Sequence, residues 1–186
     1  MKIISGKYKG RILKGYMIDG TRPTMDRVKE SVFAMIQDYI KDSIFLDLYS
    51  GSGNIGIEAI SNGSKKAYLV DNNMVAIKTI KENINALKID NIDVIKEDAV
   101  NQLNNFINTG IKFDIIFLDP PYKMEFDFNV ISLLKSFNIL NDNHIIIIER
   151  DSKISDTNLL NYKVKELKYG KTYIYILRSE YENRNL

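Results

Sequence analysis

A loop rich in hydrogen-bond acceptors directly follows an apolar strand-like run over residues 113–118. Its residues are Asp119, Pro120, Pro121 and Tyr122. The prolines stiffen the loop, and since they lack N–H groups its carbonyls face outward without a donor beside them. The Asp119 carboxylate and the Pro120 carbonyl therefore suit a planar NH2 group, and the tyrosine ring suits stacking on the heterocycle that carries it. We interpret these four residues as a catalytic loop.

The chemistry that needs such a loop is methyl transfer to an exocyclic base nitrogen. The lone pair of an aromatic amine is delocalised into its ring, which makes the nitrogen a poor nucleophile. Two acceptors draw the nitrogen toward tetrahedral geometry and stabilise the positive charge that develops on it, the mirror image of an oxyanion hole. Positioning supplies the rest, roughly 7–11 kcal/mol in favourable cases. The structural alternative is a proline turn with a solvated aspartate.

A second motif predicts a place for the methyl donor. Residues 44–48 are typical of a buried strand, and the loop after it carries Gly51, Gly53 and Gly56 in the pattern G-x-G-x-x-G. This pattern is weak alone and suits NAD or S-adenosylmethionine equally, but the loop after residue 118 favours S-adenosylmethionine because hydride transfer has no use for it. The predicted donor-site residues are Asp47, Tyr49, Ser50, Gly51, Gly53, Asp71, Asn72, Asp98 and Ala99.

Three of these aspartates have distinct expected roles. Asp47 is suited to an ammonium group, and Asp71, after the next strand, to the ribose hydroxyls. Asp98 is a candidate for the adenine amino group and equally for the N-cap of the helix that begins at Ala99, and the two roles are compatible. Together with Asp119 they end four predicted strands, where ligands bind in open α/β sheets.

The alternation of strands and helices predicts an α/β fold with a parallel sheet covered on both faces. A Gly170 turn between residues 162–168 and 172–178 predicts a hairpin, so the sheet should end in an antiparallel strand. We expect a basic β-hairpin extension over residues 1–23, a sheet domain over 24–180 and a polar tail over 181–186. The predicted strands lie at 44–48, 67–70, 92–95, 113–118 and 144–149, and the helices at 24–40, 73–87, 99–108 and 126–137. The first helix should dock on the sheet domain by one apolar face, made of Val28, Val32, Met35, Ile36, Tyr39 and Ile40.

Composition limits the classes of function. The 186 residues carry a net charge of +2, with one histidine and no cysteine, which excludes disulfides and thiolate metal sites and makes zinc chemistry improbable. We expect no metal. No signal peptide or membrane span is visible, so we expect a cytoplasmic protein.

The first thirty residues are markedly basic. Eight lysines and arginines stand against three acidic residues, a net charge of +5, which leaves −3 for the rest of the chain. A basic end on a near-neutral body indicates contact with a polyanion. A merely solvated basic surface is the alternative. The basic residues are Lys2, Lys7, Lys9, Arg11, Lys14, Arg22, Arg27 and Lys29.

Several blocks together resemble one family, the bacterial 16S rRNA guanine-N2 methyltransferases of the RsmD type, and the resemblance spans nearly the whole chain. The stretch 22–30, R-P-T-M-D-R-V-K-E, is the specific part; the glycine loop and D-P-P-Y are shared with many amino-group methyltransferases. Tyr49-Ser50 replaces the usual Phe-Ala, and Met25 replaces a threonine, which puts a contact from position 25 in doubt. The blocks are 5–11, 22–30, 46–53, 119–122 and 169–172.

The resemblance implies a class I methyltransferase fold, S-adenosylmethionine as donor with S-adenosylhomocysteine as product, and N2 of one guanine as acceptor. The implied partner is 16S rRNA in the small ribosomal subunit or a late assembly intermediate, with no obligate protein partner. It also implies that Asp119, Pro120 and Tyr122 hold the guanine. The basic residues that would meet RNA phosphates or close over the active site are Lys7, Lys9, Arg11, Arg22 and Arg27.

Two other functions stay open at this point. A DNA methyltransferase acting on adenine N6 or cytosine N4 would use the same catalytic loop, although the chain has no obvious target-recognition domain. A non-catalytic RNA-binding assembly factor would keep the fold without turnover, and the intact acidic strand ends argue against it.

Overall fold

The computed structural model describes residues 1–15, 26–120, 134, 138–154 and 162–179. Several predicted features lie outside these residues. They are Arg22, Pro121, Tyr122, nearly all of the helix expected at 126–137, and the tail at 181–186.

Strands and helices alternate along the described chain, as the sequence predicts. The strands are β1 Ile44–Asp47, β2 Lys66–Asp71, β3 Ile92–Lys96, β4 Phe113–Leu118, β5 Leu140–Arg150, β6 Tyr162–Tyr169 and β7 Thr172–Ser179. The helices are α1 Asp26–Ile40, α2 Asn54–Ser61, α3 Met74–Leu87 and α4 Ala99–Ile107. Two predicted helices extended one residue too far, because Asn73 caps the start of α3 and Asn108 caps the end of α4.

The seven described strands form one sheet in the order β3-β2-β1-β4-β5-β7-β6. β1 to β5 are parallel, and β7 runs antiparallel to both β5 and β6. The predicted antiparallel finish is therefore confirmed, with Gly170 at a φ of 61° in the hairpin turn. β5 begins four residues before its predicted start, because Leu140 already pairs with Phe113.

The sheet is apolar on both faces, which explains why its central strands read as continuous hydrophobic runs. One face packs against α1, α2 and α3 through side chains such as Ile36, Ile57 and Ile80. The other packs against α4 through Leu103 and Phe106. Because β1, β2 and β4 are parallel neighbours, their carboxyl ends lie at one edge of this sheet.

Helix α1 docks on the first face by an apolar stripe at helical spacing, as predicted. Val28, Val32, Ile36 and Ile40 are buried. Tyr39, which we placed on the same stripe, is 43% exposed and instead lies 4.8 Å under the guanidinium of Arg178. The buried face of α1 is therefore narrower than the apolar spacing of its sequence predicts, because it leaves out Tyr39.

Residues 1–15, here called the N-terminal arm, fold back on themselves, and the hairpin extension expected over residues 1–23 stays a prediction. Lys2 and Ile12 form an antiparallel bridge, and the N–H of Ile3 donates to the Arg11 carbonyl at 3.0 Å. The side chains of Ile3 and Leu13 are buried in the core beneath α1. The arm is consequently packed into the sheet domain and shares its core.

No helix in the described part of the chain is long and apolar enough to cross a membrane.

Gly6 fixes where the arm meets α2, and we predict that it tolerates no side chain. Its φ is +76°, and an added Cβ would lie 1.8 Å from the Ser61 carbonyl oxygen. Gly10 is the matched control, because its φ is +84° and a Cβ there meets nothing within 4 Å. Gly10→Ala should cost roughly 1–2 kcal/mol of unfolding free energy from backbone strain alone. Gly6→Ala should cost about 1–3 kcal/mol beyond that. Urea unfolding measures both, and equal losses would contradict the close approach.

Candidate functional site

Three aspartates converge at the carboxyl edge of the sheet. Asp47 ends β1, Asp71 ends β2, and Asp119 follows β4. β1 lies between the other two strands, with Asp47 in register with Leu69 of β2 and Phe117 of β4. The edge where ligands bind in open α/β sheets therefore carries three carboxyl groups.

Asp47 is the least satisfied of these groups. It is 1% exposed, and neither carboxylate oxygen has a hydrogen-bond partner among the described residues. Burial and, second, the charge of Asp71 raise its pKa to about 8. The backbone N–H groups of Tyr49 and Gly56 oppose this rise in pKa, but neither reaches hydrogen-bond geometry. Such a group costs free energy until a donor or a cation meets it, and an ammonium group provides both.

The loop after β1 turns tightly through two glycines with positive φ, Gly51 at 53° and Gly53 at 79°. Ser50 anchors it, since its hydroxyl donates to the Asp47 carbonyl at 2.8 Å and shares that hydrogen with the Val70 carbonyl at 3.1 Å. Gly56 has a packing role, because an added Cβ would lie 2.4 Å from Leu69 Cδ1. The glycine pattern thus holds a tight loop, which we call the glycine loop (residues 49–53), and brings α2 close against β2.

Asp71 is already engaged with the backbone around the site. Its carboxylate accepts the N–H of Gly51 at 2.9 Å and the N–H of Asn73 at 2.8 Å. Burial raises its pKa, and these two hydrogen bonds oppose that rise. A carboxylate has about four lone-pair positions, so Asp71 can stabilise the glycine loop and still accept from a ligand.

Asp98 caps helix α4, which confirms one of its two expected roles. The carboxylate accepts the N–H of Val100 at 2.9 Å and the N–H of Asn101 at 3.3 Å. Burial raises the pKa of Tyr49, and the charge of Asp98 raises it further, so these two predicted site residues lie near one another. Asn72 is exposed and Ala99 is buried. Ligand contacts from these residues stay predictions.

Asp119 lies partly exposed beside a buried acid that sequence reasoning missed. Leu118 pairs with Ile148, so Glu149 of β5 lies beside Asp119, and Glu149 is 3% exposed. Burial, the charge of Glu149 and that of Asp47, in this order, raise the pKa of Asp119 well above its usual range. The signal was present, because Glu149 ends an apolar strand as the other acids do. Of the predicted catalytic loop, only Asp119 and the buried Pro120 belong to the described residues.

One predicted surface cation is wrong. Lys29, which we counted in the basic N-terminal surface, is fully buried and pairs with Glu58 at 2.9 Å. Its position on the apolar face of α1, one residue after Val28, carries it into the interior.

Four of the five predicted RNA-binding residues belong to the described chain and are exposed. Lys7 lies at the far end of α2 from the glycine loop, since its N–H donates to the carbonyl of Ser61, the last residue of that helix, at 2.7 Å. An eight-residue helix spans about 12 Å. Lys7 is therefore on an outer surface rather than over the glycine loop. The four exposed residues are Lys7, Lys9, Arg11 and Arg27.

The strand order, the terminal antiparallel strand and the helices on both faces define the class I methyltransferase fold. The solved structure of the Escherichia coli protein yhhF matches it with a TM-score of 0.84 at 28% identity, over 98% of this chain and 99% of that one. SMU.776, solved with SAH, shares the fold alone, with a TM-score of 0.62 at 13% identity over 78% of this chain and 49% of that one.

Residues 1–178 match the family model described as "Conserved hypothetical protein 95". The "Ribosomal RNA small subunit methyltransferase D" of Buchnera aphidicola subsp. Acyrthosiphon pisum is 36% identical over 177 residues, which cover 94% of this chain and 92% of the relative. The chain therefore belongs to this family, the RsmD type that its sequence blocks resemble.

The unpaired Asp47 carboxylate generates a prediction about pH. A buried acid whose folded pKa is raised makes the folded state less stable as pH rises from the unfolded value of 3.8 toward 8. Asp47→Asn removes this penalty, so the ligand-free variant should melt at a higher temperature than the wild type at pH 8. The advantage should shrink steadily toward pH 4. Thermal melts across this range measure it, and a constant difference would contradict the raised pKa.

Proposed function

We propose that this protein transfers a methyl group from S-adenosylmethionine to the exocyclic N2 of a guanine in 16S rRNA of the small ribosomal subunit. The observation that carries the proposal is the orphaned Asp47 carboxylate, next to a glycine loop and sharing an edge with Asp119. Family membership and the name of the Buchnera relative support the class of reaction and the RNA. The SAH bound in SMU.776, which shares the fold, supports the donor.

The acidic edge fits the donor group by group. The Asp47 carboxylate, which lacks a partner among the described residues, suits the ammonium of the methionine part, and the tight turn at Gly51 and Gly53 would bring the backbone near it. Asp71 would accept the ribose hydroxyls, and Asp98 the adenine amino group. The walls of the donor site would be completed by the other predicted residues, Tyr49, Ser50, Asn72 and Ala99. The donor supplies a methyl group bonded to a positively charged sulfonium sulfur, and the sulfur leaves as a neutral thioether.

Asp119 and the Pro120 carbonyl would orient the acceptor. They would each accept one hydrogen bond from the guanine NH2 group and direct its lone pair toward the methyl carbon. Tyr122 would stack on the guanine once it has left its own stack. As the carbon–nitrogen bond forms and the carbon–sulfur bond breaks, the nitrogen becomes acidic and loses a proton to Asp119 or to water.

The electrostatics of the site suit this role. Burial and the charges of Glu149 and Asp47 raise the pKa of Asp119, so its carboxylate is more basic than an exposed one. A sulfonium cation entering among these acids would lower the cost of their mutual repulsion. The site is therefore adapted to bind a cationic donor before the acceptor base.

The assay that tests the proposed function incubates methyl-labelled S-adenosylmethionine with small subunits that lack the modification, and digests the RNA to nucleosides. We expect label in N2-methylguanosine. Label in N6-methyladenosine or N4-methylcytidine, or in DNA but not rRNA, would assign the chain to the DNA-type amino-methyltransferases. Failure to bind the donor in calorimetry would favour a non-catalytic RNA-binding factor.

Replacing Asp119 should separate turnover from donor binding. Asp119→Ala removes an acceptor that matters most in the transition state, so kcat should fall about 10²–10³-fold. Donor affinity measured by calorimetry should stay nearly unchanged. In the wild type, kcat should fall as pH drops through the raised pKa of Asp119, because the protonated acid loses acceptor capacity.

Asp151→Ala is the matched control, since Asp151 is an exposed carboxylate just beyond β5, at the same end of the sheet. It should keep wild-type turnover. Full activity of Asp119→Ala would overturn the mechanism.

The exposed cations of the arm should contribute salt-dependent binding to RNA. Neutralising Lys7, Lys9 and Arg11 together should weaken binding to the small subunit and flatten its dependence on salt, because each phosphate contact adds about 0.7–0.9 to the log–log slope. Donor affinity should be spared, since Lys7 lies at the opposite end of α2. Filter binding between 50 and 200 mM salt, roughly the range in which such contacts weaken most, measures the slope. An unchanged slope would make these residues a solvated surface only.

A further inference from the structure

The N-terminal arm is joined to the glycine loop by buried polar side chains. These contacts connect the surface that carries Lys7, Lys9 and Arg11 with the loop proposed to hold the donor. Two side chains from other elements make the connection, Asn83 of α3 and Lys29 of α1. Neither was predicted to lie at the donor site.

Asn83 bonds to the arm and the loop at once. Its amide nitrogen donates to the Lys14 carbonyl and to the Ser52 carbonyl, both at 3.0 Å. Its amide oxygen accepts the Lys14 N–H at 2.8 Å. The side chain is 3% exposed, and both of its N–H groups and its oxygen are used. Removing the amide would leave the Ser52 carbonyl, inside the glycine loop, without this buried donor.

Lys29 of α1 makes a second buried connection, between the arm and the start of α2. Its ammonium donates to the Lys2 carbonyl of the arm at 2.6 Å and to Asn54 Oδ1 at 2.7 Å. Asn54 is the first residue of α2 and directly follows Gly53 of the loop. The third donor meets Glu58, whose carboxylate also accepts the N–H groups of Ile4 and Ser5. The arm and the start of α2 therefore share one buried hydrogen-bond network.

We propose that Asn83 and Lys29 are positioning residues that hold the glycine loop in its donor-binding shape by anchoring it to the N-terminal arm. The inference rests on the proposed function. It makes the arm a structural part of the donor site as well as a surface for RNA. If RNA and the donor both favour this arrangement of the arm, each tightens the binding of the other by the same factor.

The experiment compares two adjacent residues of α3 that both contact Lys14. Asn83→Ala removes the bridge to the loop. Glu82→Gln is the matched control, because Glu82 forms only an exposed ion pair with the Lys14 ammonium at 3.0 Å. Calorimetric titration of S-adenosylhomocysteine into each full-length variant measures affinity. We expect Asn83→Ala to bind about tenfold more weakly, the effect of losing a buried hydrogen bond, and Glu82→Gln to bind like the wild type.

A control for stability separates positioning from general loosening. Ile176→Val trims a buried side chain of β7, far along the sheet from the loop, and should lower the melting temperature without changing donor affinity. Asn83→Asp keeps the acceptor for the Lys14 N–H but loses both donors, so it should fail to rescue binding. In turnover assays Asn83→Ala should raise KM for the donor more than it lowers kcat.

Each outcome bears on one hypothesis. If the wild type does not bind S-adenosylhomocysteine or S-adenosylmethionine, the proposed function fails. If the wild type binds and Asn83→Ala binds equally well, the positioning role fails and the proposed function stands. A loss of affinity in Ile176→Val as large as in Asn83→Ala would also overturn the positioning role, because stability alone would then explain the effect.

Discussion

The buried ion pair between Lys29 and Glu58 is the interaction on which the arrangement of the site depends. Both side chains are 0% exposed, and together they join α1, α2 and the arm. Removing one partner of such a pair commonly costs 3–5 kcal/mol, roughly, because the other charge is left buried and unpaired. The pair therefore specifies one docking of the arm, since a shift of the arm would withdraw its backbone hydrogen bonds, from the Lys2 carbonyl and the Ile4 and Ser5 N–H groups, from charges that water cannot reach.

The site itself stores electrostatic repulsion. Asp47, Asp119 and Glu149 lie on or beside three neighbouring strands. Burial and the charge of Asp71 raise the pKa of Asp47, and burial with the charges of Glu149 and Asp47 raises the pKa of Asp119. A core built for stability alone would not collect carboxylates at one edge, because each is costly to desolvate. A bound cation would offset this cost, which is the role that the proposed cationic donor would fill. Stability and ligand binding are linked here through the same groups.

Much of the fold followed from short patterns in the sequence. Apolar runs ended by aspartate marked the parallel strands, and the turn at Gly170 marked the antiparallel finish, because local periodicity and turn chemistry report on nearby residues. The acidic groups Asp47, Asp71 and Asp119 were recognised for the same reason, as the carboxyl ends of parallel strands share one edge.

The tertiary structure alone decided which charges are buried and what they contact. Lys29 reads as a surface cation in a basic segment, yet its partner Glu58 lies 29 residues away and its other acceptors come from Lys2 and Asn54. Asn83 gives no signal on an ordinary amphipathic helix, since its two partners lie 69 and 31 residues distant. By itself the sequence determined where the strands lie along the chain and which of them carry an aspartate at the carboxyl end. The fold determined which polar groups lose water together, because desolvation depends on neighbours that are distant in the chain.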